Sequence, residues 1–123
     1  MNVSPPDPAA WRAPLDQGRA AFNRGEFFAA HELWEEAWHH LEGPERLLVQ
    51  GLIQIAAALH NLQQGRPRPA TSLLAKGLEK LSRGVPPALA ALPVDALAAD
   101  LTRLLAELES PRAGTPDPTL LRL

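Results

Sequence analysis

Apolar residues recur along most of this chain at intervals of three and four, the period of helices that bury one face. Leu15 and Phe22 keep that spacing with Arg19 between them, and Ala20 and Ala21 are small packing positions. The pattern predicts a helix from Pro14 to Arg24, since proline suits a first helical turn and Gly25 is a stop signal. Phe27, Ala30, His31, Trp34, Ala37, Trp38 and Leu41 then line one broad face of a second helix over 26–42. A third helix, predicted over 44–64, is apolar nearly all round from Leu47 to Leu62, which places it at the centre of a bundle. Gly51 would let a neighbouring helix approach it closely, and Gly65 caps it. Arg66-Pro67-Arg68-Pro69 reads as a turn before a fourth helix over 69–82, with Leu73, Leu74, Gly77, Leu78 and Leu81 inward. A Pro-rich crossover covers 84–93, with one helical turn over 87–92. Asp95 is the expected N-cap of a fifth helix that carries Leu97, Leu101, Leu104, Leu105 and Leu108.

Short links make successive helices antiparallel, so the expected fold is all-α: an up-and-down bundle of four to five helices. The expected organisation is a loose N-terminal extension over 1–13, which Trp11 anchors to the body, a bundle domain over 14–109, and a C-terminal tail over 110–123. A length of 123 residues suits one domain. It is also long enough to bury a core without help from a metal or a disulfide.

Charge and composition narrow the partners. Twelve basic residues against 14 acidic ones leave a net charge of −2, with no Lys/Arg cluster. Phosphate neutralisation supplies most of the affinity for nucleic acid, so nucleic acid is not an expected partner. The most apolar stretch, 52–62, is interrupted by Gln54, His60 and Asn61 and falls short of a membrane span. Residues 1–8 lack the basic and apolar regions of a secretory leader, and the expected setting is cytoplasmic. The absence of cysteine excludes disulfides, thiolate metal sites and a cysteine nucleophile.

The chemistry worth weighing lies where polar residues interrupt an apolar face. His31, Glu35 and His39 stand four apart and therefore stack along one side of the second helix. Gln50 and Gln54 do the same on the third helix, with His60 and Asn61 further along. One reading makes His31, Glu35 and Gln54 a hydrogen-bonded network in the core that orients two helices, since an unsatisfied buried polar group costs about 1–3 kcal/mol. The sharper reading makes His31, Glu35, Gln54, Gln50 and His60 a ligand or metal pocket. His39 and His40 are expected at the solvated end of the helix, and Trp34 and Trp38 in the core.

Named catalytic patterns fail on specific residues. His31-Glu32-Leu33-Trp34-Glu35 begins like a zincin motif, but Glu35 stands in the place of the second histidine, so the two-histidine grip on zinc is lost. Glu36-Ala37-Trp38-His39 is a Glu-x-x-His element, but the di-iron bundles need a second one, and the third helix has none. No phosphate-cradling glycine loop or Gly-x-Ser-x-Gly turn is present. No cofactor is implied.

The block Gly25-Glu26-Phe27-Phe28-Ala29-Ala30-His31-Glu32-Leu33-Trp34-Glu35, with Trp38 and then Gln50-Gly51-Leu52-Ile53-Gln54, resembles the family catalogued as domain of unknown function 309, small helical proteins of bacteria and archaea. The resemblance runs from Pro14 to Leu81. It implies a compact helical bundle with no assigned activity, and its motif falls on His31, Glu32, Glu35, Trp38, Gln50, Gly51 and Gln54. Asn23-x-Gly25-x-Phe27-x-x-Ala30 is also similar to one unit of a tetratricopeptide repeat, but no period of roughly 34 residues follows it.

Two function classes follow. The first is a non-catalytic module that binds a partner protein or small ligand, or associates with its own copies as a homo-oligomer. The alternative is a metal- or acid/base-dependent enzyme in which Glu35 orients His31 for proton transfer.

Overall fold

A computed structural model describes residues 8–110 and 117–123 of the chain. The expected loose residues 1–7, and 111–116 of the expected tail, lie outside the described residues. Five helices follow in order: α1 (Pro8–Asn23), α2 (Phe27–Trp38), α3 (Gly43–Gln63), α4 (Pro67–Leu81) and α5 (Val94–Glu109). Single 3-10 turns occur at Pro87–Leu89 and Pro118–Leu120. Among the described residues there is no strand. The all-α bundle read from periodicity is the architecture observed.

Each helix packs chiefly on the next in sequence: α1 on α2, α2 on α3, α3 on α4 and α4 on α5. The pairs that meet show successive helices running antiparallel. Phe22 meets Phe27 at the α1–α2 turn, and Leu15, near the far end of α1, meets Trp34 late in α2. Glycines reverse the chain at these turns. Gly25 and Gly65 sit at φ of 77° and 72°, a region that other residues enter only with strain.

The core is continuous and apolar, and among the described residues no polar or charged residue is fully buried. α3 contributes most to it, through Leu48, Val49, Leu52, Ile55, Ala56, Ala58, Leu59 and Leu62. Two close approaches organise the packing around it. Trp34 is fully buried, and its indole N–H donates to the Leu15 carbonyl at 3.1 Å. The ring lies against Gly18, where a Cβ would collide with it. At the α3–α4 crossing, a Cβ on Gly77 would come within 2.9 Å of the Gly51 carbonyl oxygen. The close approach expected at Gly51 is thus made by a glycine on each helix.

Several boundaries differ from those read in the sequence, each for a physical reason. α1 starts at Pro8 rather than at Pro14, so residues 8–13 are helical and not a loose extension, and Pro14 lies inside the helix. An interior proline costs about 3 kcal/mol. Burial of Trp11 one turn earlier offsets this, since an indole buries roughly 200 Å² at about 25 cal/mol per Å². α2 ends at Trp38, four residues early, where i to i+3 bonds at His40 and Leu41 replace the α-helical pattern. α4 begins at Pro67, so Pro67 and Pro69 occupy its first turn, where the N–H groups they lack have no helical partner. Asp95 is not the N-cap of α5; Pro93 holds that position and Asp95 stands in the first turn.

The largest difference is at the C-terminal side. Residues 117–123 are not a free tail: Pro118, Leu121 and Leu123 are buried, and Leu121 and Leu123 belong to the main core.

Candidate functional site

Of the motif residues, Glu35 and Trp38 of α2 meet Gln50 and Gln54 of α3 along the seam between these helices, whereas Gly51 faces α4 and Glu32 is exposed. His31 and Glu35 sit one turn apart on α2, with His31 Nε2 at 3.3 Å from Glu35 Oε1. Facing them on α3 are Gln50 and Gln54, also one turn apart. Glu35, Gln50 and Gln54, with Trp38, His39 and Ile53, line a cleft of about 370 Å³. The structure therefore brings Glu35, Gln50 and Gln54 together, with His31 beside them through its contact with Glu35.

It does not bury them. The side chains of His31 and Glu35 are 25% and 50% exposed, so the expected network in the interior is corrected to a His31–Glu35 contact at the surface. The physical reason is helical phase. Phe27, Ala30, Trp34 and Ala37 take the centre of the buried face, and His31 and Glu35 fall on its rim, where α3 covers one side only. Gln54 is also not paired with His31: its Oε1 accepts from Lys80 Nζ on α4 at 2.8 Å.

His60 belongs to a neighbouring cluster. It lies 5.1 Å from the ring of Phe28, centre to centre, and Phe28 in turn stacks on His31 at 5.9 Å and 21°. Phe28 is 53% exposed, the larger part of an aromatic ring left in water between two imidazoles. At the opposite end of the seam, the Arg46 guanidinium carbon lies 3.7 Å from the centre of the Trp38 ring. Trp38 is partly buried against the core and not inside it.

Two polar atoms on this seam are shielded from solvent and find no hydrogen-bond partner among the described residues, Nδ1 of His31 and Nε1 of Trp38. Both have desolvation left uncompensated, which costs about 1–3 kcal/mol per group. No group of three or more His, Cys, Asp or Glu side chains placed to hold a metal occurs among the described residues.

Sequence reasoning missed three contributors. Phe28 falls one residue outside the apolar face, and the doubled Phe27-Phe28 of the motif was the signal. Arg46 and Lys80 reach the seam from α3 and α4, and no local pattern marks them.

Residues 15–73, which run from α1 into α4 and contain the whole seam except Lys80, match the family model described as Domain of unknown function (DUF309). Over these residues the chain is similar to that family. A protein of Aquifex aeolicus (strain VF5), named only as an uncharacterized protein, is 34% identical over 65 residues, 52% of this chain and 20% of that relative. The chain thus spans about a fifth of the length of the relative it matches. No solved structure matches the chain. The DUF309 match ends at Leu73, so the second half of α4, the crossover, the whole of α5 and the segment 117–123 stand outside it. No helix among the described residues is long and apolar enough to cross a membrane.

Proposed function

We propose that the chain is a non-catalytic binding module that docks a partner protein on the α2–α3 seam. The observation that carries this reading is Phe28. A phenylalanine 53% exposed stands on the same seam as the cleft, linked to Glu35 of its lining through His31, on the helix that holds the motif. An exposed aromatic on a seam that also holds a cleft is what a contact site offers, because docking takes the ring out of water. The cytoplasm is the setting this reading assumes, and a second copy of the chain is one form the partner can take.

The second reading, an acid/base enzyme, is favoured by the 3.3 Å contact of His31 with Glu35. The two readings separate at Phe28. A photo-crosslinking phenylalanine analogue placed at position 28 should trap one discrete adduct in extract of the host cell, and the same analogue at the exposed Thr102 of α5 should not. Equal labelling at both positions, or no adduct at position 28, rejects the docking seam. Light scattering of the pure protein at high micromolar concentration then decides whether the adduct partner can be the chain itself.

A further inference from the structure

The segment 117–123 is held as a peptide ligand is held. Asn23 grips the main chain of Leu123 from both sides: its Oδ1 accepts from the Leu123 N–H at 2.7 Å, and its Nδ2 donates to the Leu123 oxygen at 3.0 Å. Arg19, one turn earlier on α1, donates from Nε to the same oxygen at 2.7 Å. These three bonds address main-chain groups that every amino acid except proline carries. They fix the position of a chain without reading its side chains.

Selectivity comes from the leucines. Leu121 is in extended conformation, φ −73° and ψ 144°. In an extended chain alternate side chains point to opposite sides. Leu121 and Leu123 accordingly enter the core while Arg122 between them is exposed. Leu120, 77% exposed, contributes nothing to the seat. The walls of the groove are α1, α3, which meets the Pro118–Leu120 turn, and Leu104 of α5, which lines a cleft with Leu120 and Leu121. Gly25 keeps the floor clear, since a Cβ there would lie 3.3 Å from Thr119 Cγ2.

We propose that this groove is a peptide-recognition site. Its ligand is an extended segment with aliphatic side chains two residues apart, the second of them clamped through its main chain by Asn23 and Arg19, and residues 117–123 are the copy of that ligand carried by the chain itself. An extended peptide held through backbone bonds, with pockets for alternate side chains, is a recurrent mode of recognition. The site is separate from the α2–α3 seam and does not depend on the docking proposed there. A tethered ligand competes at an effective concentration on the order of millimolar, so a partner segment must either bind more tightly or be present in excess.

The test uses the full chain with Leu121→Ala and Leu123→Ala, which empties the two pockets, and a fluorescein-labelled peptide of residues 117–123. Anisotropy should show saturable binding about tenfold tighter than to the unaltered chain, whose own segment competes. Adding Asn23→Ala to the same chain, or replacing both leucines of the peptide by alanine, should weaken it by about tenfold or more, in line with loss of a main-chain clamp or of two buried side chains. A second measurement does not need the variant to fold. Excess unlabelled peptide added to the unaltered chain should shift the amide NMR signal of Leu123 toward its unbound position. Absence of both effects, or binding indifferent to Asn23→Ala, overturns the proposal.

Discussion

At the scale of single residues, two aromatic side chains six positions apart, Phe28 and Trp34, have opposite roles. Trp34 is enclosed, with its N–H on the Leu15 carbonyl and its ring against Gly18. Phe28 stands mostly in water. The helical period separates them: Trp34 repeats the positions of Phe27 and Ala30, whereas Phe28 is rotated off that face by about 100°. Gly18→Ala should therefore destabilise the fold by about 1–3 kcal/mol through overpacking against the indole, read as a lower urea midpoint with unchanged slope. Phe28→Ala should stay within about 0.5 kcal/mol of the parent, as surface changes do. A Gly18→Ala protein as stable as the parent would show that the Trp34 contact is loose.

At the scale of elements, the helices were legible because their periodicity is carried by neighbouring residues. Their ends were less so. Pro14 and the pair Pro67 and Pro69 were read as boundaries, yet α1 runs through the first, and α4 begins at Pro67 and runs through Pro69. For α1 the deciding energy lies in packing, through burial of Trp11; for α4 the prolines stand in a first turn whose N–H groups need no helical partner. The turn at 117–120 has its own local device. The Thr119 side-chain hydroxyl and then its N–H donate to the Asp117 carboxylate, at 2.6 and 2.9 Å, and hold its pKa below the ordinary 3.8. A carboxyl lowered in the folded state strengthens the fold above its ordinary value, and this contribution fades as pH falls through the lowered one. By carboxyl-carbon NMR, Asp117 should titrate at lower pH in the folded chain than in a free peptide of residues 117–123. Coincident midpoints would refute the Thr119 contacts.

At the scale of the whole molecule, the core is completed from its far end. Leu121 and Leu123 join residues of all five helices in one apolar cluster, and Asn23 and Arg19 hold them across about a hundred residues of chain. Leu123→Ala should cost about 2–4 kcal/mol, as cavity-forming changes in cores do. At roughly 3–6 °C per kcal/mol for a domain of this size, calorimetry should record a Tm lower by on the order of 10 °C. An unchanged Tm would mean that the segment rests on the surface without sealing the core.

Periodicity alone determined that this chain is all-α, with four to five helices each burying one apolar face, because a face is a property of residues three and four apart. It also placed His31, Glu35, Gln50 and Gln54 on two helices that would meet. Only the tertiary structure decided that this meeting occurs on the rim of the core, that Lys80 and not His31 takes the Gln54 oxygen, and that His60 pairs with Phe28. The seat of residues 117–123 was beyond any local pattern. Its apolar residues carry no helical period, and what makes them interior is a groove assembled from α1, α3 and α5, the first of them about a hundred residues earlier in the chain.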